Sequence, residues 1–189
     1  MSVRMPVLEQ MPRDSCCCGR QVVGLLGLIV AELLGSGAGL AVAASRHYLI
    51  VGRVIAIADG DTLTVLDGAK QRHRIRLAEI DAPEKGQPFG TKARENLGSK
   101  VFGKAVRVEV VDVDAYHREV GRIYLGERLI NREMVQDGFA WDYRAYDKSG
   151  EFGGVEADAR RHRRGLWADP HPVPPWEWRR EKHRASPAR

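Results

Sequence analysis

Residues 48–77 contain the pattern that decides the fold, and they read YLIVGRVIAIADGDTLTVLDGAKQRHRIRL. Runs of Val, Ile, Leu and Thr alternate with polar residues, and Asp-Gly pairs at 59–60 and 67–68 interrupt them. Alternation with a period of two is typical of strands that bury one face, and Asp-Gly is typical of tight turns. The stretch therefore predicts a three-stranded antiparallel meander. Its strands are residues 48–57, 62–66 and 71–77.

The chain that follows predicts two further strands and about three helices. Apolar side chains recur every four residues in 91–101, which indicates a helix, whereas Val alternates with charged residues in 105–112, which indicates a strand. The other predicted elements are a strand at 121–125, a short helix at 132–137 with Asn131 as its N-cap, and a last helix from Glu151 or Gly154 to Arg164. Five short strands form a stable sheet most simply by closing it. We therefore expect an α+β fold that is mainly β, a five-stranded OB-fold barrel.

The first 44 residues differ in composition from the rest. Residues 22–44 contain a single charged side chain, they follow Arg13 and Arg20, and they end in an A-x-A pattern. These features predict a secretory signal peptide that is cleaved near Ala43. The same run is long enough to span a bilayer, so an N-terminal membrane anchor through residues 22–44 is the alternative. Its five glycines favour cleavage.

Composition restricts the class of protein. The chain has 189 residues and a formal charge of +5, with 43% hydrophobic and 29% charged residues, which excludes collagen-like, disordered and polytopic membrane proteins. The three cysteines, at 16–18, precede the predicted cleavage, so the mature chain tolerates an oxidising compartment. Translation from Met5 or Met11 would shorten the basic flank. The segment 170–189, which contains prolines and tryptophans, predicts a basic tail that is frayed from Arg179 onward.

Acidic residues concentrate at two turns, 59–61 and 81–84. In a meander the third strand ends near the place where the second begins, so the two turns can meet. Carboxylates that converge without cysteine are hard oxygen ligands, which suit Ca²⁺ or Mg²⁺ better than zinc. Ala82 precedes Pro83, which holds its backbone extended and aims its carbonyl as a further oxygen ligand. Asp59 alone is interpreted as a solvated turn residue.

Two strand arginines, Arg76 and Arg122, are the candidate phosphate-binding groups. A single exposed arginine on a strand has no special meaning. Two guanidinium groups beside a cation and a carboxylate base would instead supply the parts of phosphodiester hydrolysis, because they bind phosphate oxygens in pairs. Sequence spacing by itself does not bring Arg122 to the acidic turns.

A resemblance supports this interpretation. Residues 76–84, RLAEIDAPE, resemble the R-x-x-x-x-D-x-P-E signature of the staphylococcal nuclease-like (thermonuclease) family. Residues 58–62 resemble its D-G-D-T turn, and Gly121-Arg122 resembles its later G-R. The similarity runs from about Tyr48 to Trp167, in the family's order.

The resemblance implies an OB-fold nuclease that cuts DNA and RNA with Ca²⁺ and leaves 3′-phosphates. Matched by position, the implied metal ligands are Asp61, Asp81 and the backbone carbonyl of Ala82. The implied catalytic residues are Arg76, Glu84 and Arg122. Glu84 would orient or deprotonate the attacking water, and the arginines would bind the phosphate.

The family often places an aromatic residue directly before the Gly of the G-R pair, where this chain has Val120. Three tyrosines are therefore the candidates for stacking on a base: Tyr116, Tyr143 and Tyr146. For the last two, core packing against Trp141 is the alternative.

The expected organisation is a signal peptide or anchor at 1–44, a staphylococcal nuclease-like domain at 45–169 and a tail at 170–189. We expect a monomeric nuclease, secreted or in the cell envelope or periplasm, that acts on DNA and RNA without a small-molecule cofactor. It would meet a membrane only if the N-terminal segment is retained. The hypothesis from another class is a membrane-tethered, noncatalytic OB-fold nucleic-acid-binding module, and the complete set of five side chains argues against it.

Overall fold

The computed structural model describes residues 47–185. The predicted signal peptide or anchor at 1–44 and its cleavage near Ala43 lie outside this range. Within the described residues, no helix combines the length and the apolar character that crossing a membrane requires.

Eight strands and four α-helices follow one another along the described chain. The strands are β1 Tyr48–Ile57, β2 Thr62–Asp67, β3 Arg72–Leu77, β4 Ile80–Asp81, β5 Ala105–Val113, β6 Glu119–Leu125, β7 Arg128–Leu129 and β8 Trp141–Asp142. The helices are α1 Gly90–Val101, α2 Ile130–Gln136, α3 Gly153–Arg161 and α4 Pro175–Ala185, with a 3₁₀-helix at Gly165–Ala168 before α4. The five long strands were all predicted, whereas the three two-residue strands were not.

The five long strands form a closed barrel, as predicted for an OB-fold. Neighbours pair antiparallel in the order β3-β2-β1-β5-β6, and a parallel pairing of β3 with β6 closes the sheet. In that seam Leu77 lies opposite Gly121. A Cβ at Gly121 would lie 2.7 Å from the Val108 side chain and 2.9 Å from the Glu109 carbonyl oxygen. Only glycine therefore lets β6 approach β5 closely enough at this point.

Alternate residues of the barrel strands form the core. Ile75 and Leu77 point inward and are buried, whereas Arg74 and Arg76 on the same strand point outward, as the alternation predicted. Helix α1 adds its apolar stripe to the same core. The stripe consists of Ala93, Leu97 and Val101. Each fully buried Val, Leu or Ile side chain contributes about 1.5–3 kcal/mol relative to exposure.

The predicted role of Asn131 as an N-cap is wrong. Helix α2 begins at Ile130, two residues before the predicted start at Arg132, because β7 leads directly into it. Asn131 is fully buried, and its amide donates to the carbonyl oxygens of Ala78 and Gly121 at 3.0 and 3.2 Å. Its side-chain oxygen accepts the Ile123 N–H at 2.9 Å. The side chain thus satisfies backbone groups where β3 and β6 meet.

The prediction that the chain frays from Arg179 is wrong for residues 179–185, which belong to α4. Residues 47–185 therefore contain four α-helices instead of about three. Pro175 starts the helix, a position where proline is favourable. The Trp176 ring lies 5.6 Å from that of Trp141 and 5.4 Å from that of Tyr143, measured between centroids. These aromatic contacts hold a segment that its charge pattern alone would leave in solvent.

Candidate active site

The two acidic turns meet, as the meander predicted. The β1–β2 turn is closed by the Ala58 N–H, which donates to the Thr62 carbonyl at 2.9 Å. Asp61 is buried in that turn, and its carboxylate accepts the Ala82 N–H at 3.0 Å. The Asp61 carbonyl also accepts the Leu77 N–H at 2.8 Å. Backbone bonds therefore position the carboxylate of the first turn against the loop of the second.

Arg76 bridges the two buried carboxylates. From β3, its Nη1 donates to Asp61 Oδ1 and its Nη2 donates to Asp81 Oδ1, each at 2.9 Å. Asp81 is completely buried, and the side chain of Arg76 is 17% exposed. The three groups form one compact ion cluster at the end of the meander. Sequence reasoning had assigned all three residues to a single site, and the structure brings them into contact.

Burial and neighbouring charges shift the pKa values of the groups in this cluster. Burial raises the pKa of Asp61, and the nearby charge of Asp59 raises it further, although Arg76 acts in the opposite sense. Burial alone would lower the pKa of Arg76, but the charges of Asp61 and Asp81 outweigh that effect and raise it. The guanidinium therefore stays charged wherever the carboxylates are ionised.

Glu84 lies at the rim of this cluster. Its backbone N–H donates to the Gln87 side chain at 2.9 Å, and its carboxylate side chain is 38% exposed. The start of α1 packs tightly on this loop: a Cβ at Gly90 would lie 2.1 Å from the Glu84 carbonyl oxygen. Glu84 is thus a solvent-accessible carboxylate on a well-packed loop, next to buried ones.

A third arginine, missed by the sequence analysis, contacts the same carboxylates. From α4, Arg179 donates to Asp81 Oδ2 at 2.7 Å, to Asp81 Oδ1 at 3.2 Å and to Glu84 Oε1 at 2.6 Å. Burial would lower the pKa of Arg179, but its bonds to Asp81 and Glu84 raise it instead. The sequence did contain a signal for this contact: tryptophans flank Glu177. Large apolar side chains directly after a proline-rich segment indicate that the chain packs against the domain again.

Arg122 does not contact the other predicted site residues. Its Nε and Nη2 donate to the two carboxylate oxygens of Glu79 at 2.8 and 3.0 Å, and Glu151 lies 3.3 Å from its guanidinium. Burial raises the pKa of Glu79, and Arg122 opposes this rise. Because Arg122 directly follows Gly121 in the β3–β6 seam, it lies on the strand next to that of Arg76. The β3–β6 pairing makes the strands of Arg76 and Arg122 neighbours, and carboxylates hold each arginine.

The three candidate tyrosines have different surroundings. Tyr116 is 78% exposed in the β5–β6 hairpin, with the guanidinium of Arg118 5.5 Å from its ring centroid. Tyr143 and Tyr146 lie 4.8 Å apart. The face of Tyr143 stacks on Trp176 with 4° between the ring planes, so the aromatic partner of Tyr143 comes from α4. Tyr146 is exposed.

The donor atoms fit a hard divalent cation that keeps part of its water. Within residues 47–185, no three side chains of the types His, Cys, Asp and Glu form a group that could hold a metal. Two carboxylates, those of Asp61 and Asp81, contact the guanidinium of Arg76. A cation in place of that charge would need a backbone carbonyl, such as that of Ala82, and water to complete its coordination. Oxygen donors of this kind suit Ca²⁺ or Mg²⁺ and do not suit zinc.

Comparison with known proteins agrees with this geometry. The family model described as "Staphylococcal nuclease homologue" matches residues 74–169. The chain is 42% identical over 155 residues to "Protein ParB" of Escherichia coli, which covers 76% of this chain and 87% of that protein. It is 43% identical over 146 residues to "Micrococcal nuclease" of Shigella flexneri, with 71% and 83% covered. It is 42% identical over 130 residues to "Uncharacterized endonuclease" of Haemophilus influenzae, with 69% and 73% covered. The resemblance found in the signature residues is confirmed, and the chain belongs to the staphylococcal nuclease homologue family.

Proposed function

We propose that the protein is a calcium-dependent nuclease that hydrolyses phosphodiester bonds of DNA and RNA and leaves 3′-phosphates. The observation that carries the proposal is the cluster in which Arg76 bridges two buried carboxylates, Asp61 and Asp81, at 2.9 Å each. Family membership and the nuclease names of two relatives support it. The net charge of +5 is compatible with a polyanionic substrate.

The cation site would consist of Asp61, Asp81 and the Ala82 carbonyl. When bound, Ca²⁺ would neutralise charge on the scissile phosphate and polarise its P–O bonds. With so few protein ligands, we expect a dissociation constant on the order of 10⁻⁴–10⁻³ M.

Glu84 is the proposed acceptor for a proton of the attacking water. Its carboxylate is the exposed one of the cluster, so water can reach it. The water oxygen forms the new bond to phosphorus, and the bond from phosphorus to the 5′-oxygen breaks. The 5′-oxygen takes up a proton from solvent water and leaves as a hydroxyl, and the phosphate stays on the 3′-oxygen.

Arg76 and Arg122 are the proposed phosphate ligands. Each presents a planar guanidinium that suits two phosphate oxygens at once, and such preorganised charge stabilises the transition state. Glu79 holds Arg122 through two bonds in the free protein. For Arg122 to bind substrate, one or both of these bonds must be exchanged for bonds to phosphate.

The proposed location is outside the cytoplasm, in the medium or the cell envelope, after cleavage near Ala43. The apolar run at 22–44 and its A-x-A end support it. N-terminal sequencing of protein recovered from outside the cytoplasm tests the proposal, and an intact 22–44 segment in the membrane fraction would favour the anchor.

The proposed activity is tested by incubating plasmid DNA and a single-stranded RNA with the purified protein in Ca²⁺ or in excess EGTA. We expect cleavage only with Ca²⁺, products with 3′-phosphate ends, and no cleavage by Asp61→Asn. Full activity in EGTA with no other metal would contradict the metal requirement. Tight binding of nucleic acid without cleavage under any condition would support the noncatalytic module.

A further inference from the structure

Helix α4 lies across the proposed active site, and several independent contacts hold it there. The Gln87 side chain donates to the Val173 carbonyl at 2.7 Å, which fixes the segment leading into the helix. Pro175 is buried at the first turn, and Trp176 packs on Trp141 and Tyr143. The helix is therefore docked at its N-terminal end, beside the loop that carries Glu84.

One side chain of α4 reaches the carboxylates themselves. Arg179 bonds to both oxygens of Asp81 and to Glu84, at distances from 2.6 to 3.2 Å. Asp81 has no exposed surface, and its Oδ1 also accepts from Arg76. Every oxygen of this proposed metal ligand is thus occupied by a guanidinium. A divalent cation and Arg179 compete for the same negative charge.

A second side chain of α4 covers the aromatic surface of the site. Trp176 lies parallel to Tyr143, with ring centroids 5.4 Å apart and 4° between the planes. This is the stacked arrangement that a nucleobase adopts on an aromatic side chain. While Trp176 is in place, that face of Tyr143 is closed to substrate.

We propose that α4 is an internal inhibitor of the nuclease, which holds the site closed with Arg179 on Asp81 and Glu84 and with Trp176 on Tyr143. This inference rests on the proposed function, because the groups that α4 covers are the proposed binding groups for the cation and for a nucleobase. Arg179 and Glu84 are 36% and 38% exposed, so solvent reaches their ion pair, whereas Asp81 is buried and its pair with Arg179 is open only on the arginine side. Partly exposed ion pairs contribute little to stability, so cation and nucleic acid together can displace the helix.

The experiment measures Ca²⁺ binding by calorimetry, without nucleic acid, for the purified chain and two variants. Arg179→Ala removes the competing charge. Arg180→Ala is the matched control, because Arg180 is the next residue of the same helix, is 67% exposed and pairs only weakly with Glu177 at 3.6 Å. If α4 is closed in about nine of ten molecules, its release tightens apparent binding about tenfold. We expect that gain for Arg179→Ala and none for Arg180→Ala.

A second measurement keeps the test valid if Arg179→Ala folds poorly. Hydrogen exchange of the unmodified protein is followed at the backbone amides of 176–185 with and without Ca²⁺. We expect faster exchange in this helix when Ca²⁺ is added, and unchanged exchange in β1–β3. Unchanged or slower exchange in α4 at saturating Ca²⁺ would overturn the proposal.

The outcomes separate this inference from the proposed function. If the unmodified chain binds Ca²⁺ and Arg179→Ala binds it equally well or less tightly, the inhibitor is wrong and the metal site stands. If neither chain binds Ca²⁺, both ideas fail. Cleavage rates give a further check: Arg179→Ala should be faster than the unmodified chain at low Ca²⁺, and a slower rate at saturating Ca²⁺ would make Arg179 a substrate ligand and overturn the inhibitor.

Discussion

Two regions of the molecule each supply an arginine that bonds to Asp81, and they differ in how firmly they hold that arginine. Arg76 comes from the barrel wall, five residues before Asp81, on a strand paired on both sides. Arg179 comes from α4, 98 residues after Asp81, on a helix docked mainly through Pro175 and one tryptophan. The bond lengths are alike, so distance does not separate the two roles. The supporting structure does: the barrel fixes Arg76, whereas α4 can leave and take Arg179 with it.

The largest expected effect compares these arginines directly. Arg76→Ala leaves Asp61 and Asp81 buried without their bridging charge, and loss of one partner from a buried ion pair costs about 3–5 kcal/mol of unfolding free energy. Arg179→Ala should cost about 0–1 kcal/mol, because that pair is partly exposed and Asp81 keeps Arg76. Urea denaturation in EGTA measures both. Equal losses would show that α4 is as integral to the fold as β3.

The second prediction concerns Glu84, whose carboxylate accepts a hydrogen bond from Arg179 of α4. Glu84→Gln keeps the shape but cannot accept a proton from water, so we expect the rate at saturating Ca²⁺ and DNA to fall about 10²–10⁴-fold. The melting temperature should stay near that of the unmodified protein, because the side chain is at the surface. A folded Glu84→Gln protein that cuts DNA at the full rate would exclude Glu84 as the base.

The third prediction concerns Arg122, which the barrel holds through Glu79. Arg122→Lys keeps the charge but loses the paired donors, so the cleavage rate should fall about 10²–10³-fold. Arg118→Lys is the control, since Arg118 pairs with Asp114 at 2.7 Å in the loop of the same β5–β6 hairpin. We expect that control to cut normally. A normal rate for Arg122→Lys would mean that Arg122 serves only to pair with Glu79.

The smallest expected effect is on thermal stability, at a residue of the barrel wall away from the site. His73 on β3 contacts Glu119 of β6 at 2.8 Å and Asp67 of β2 at 3.2 Å. Burial would lower the pKa of His73, but these two carboxylates raise it above the ordinary value of about 6.5. A raised pKa means that the stabilisation is complete below pH 6.5 and is lost as the pH rises through the folded-state value.

We therefore expect His73→Gln to lower the melting temperature by a few degrees at about pH 5.5 and by less at pH 9. Calorimetric scans at the two pH values measure the difference. Cleavage should be unaffected. An equal loss at both pH values would show that the His73 contacts act without its positive charge.

The features that sequence predicted are local ones. The meander, the meeting of the acidic turns and the position of Arg76 beside them follow from alternation and turns within 48–84, whereas the direct bonds of Arg76 to Asp61 and Asp81 come from the structure. The signature residues added the family, which is confirmed. The roles of all the site residues stay predictions: Asp61, Asp81 and Ala82 as metal ligands, Arg76, Glu84 and Arg122 as catalytic residues, and the tyrosines as stacking partners.

The features that sequence missed depend on partners far along the chain. Asn131 bonds to Ala78, 53 residues away, and Arg179 bonds to Asp81, 98 residues away. The hydrophobic periodicity of a sequence does not predict such pairs, because each pair depends on where the folded barrel places the two segments. The basic pattern from Arg179 favoured a solvated tail, and aromatic packing outweighed it.

The seam between β3 and β6 has a consequence for the order of folding. Its residues, such as Leu77 and Gly121, are far apart in sequence, whereas the β1–β2, β2–β3 and β5–β6 pairings each join neighbours along the chain. Loop-closure entropy disfavours distant pairings until nearer ones have shortened the effective loop. We expect the hairpins to form early, and the two distant pairings, β1–β5 and the β3–β6 seam with the buried Asn131, to form after them. The acidic turns would thus already be neighbours while the barrel is still open.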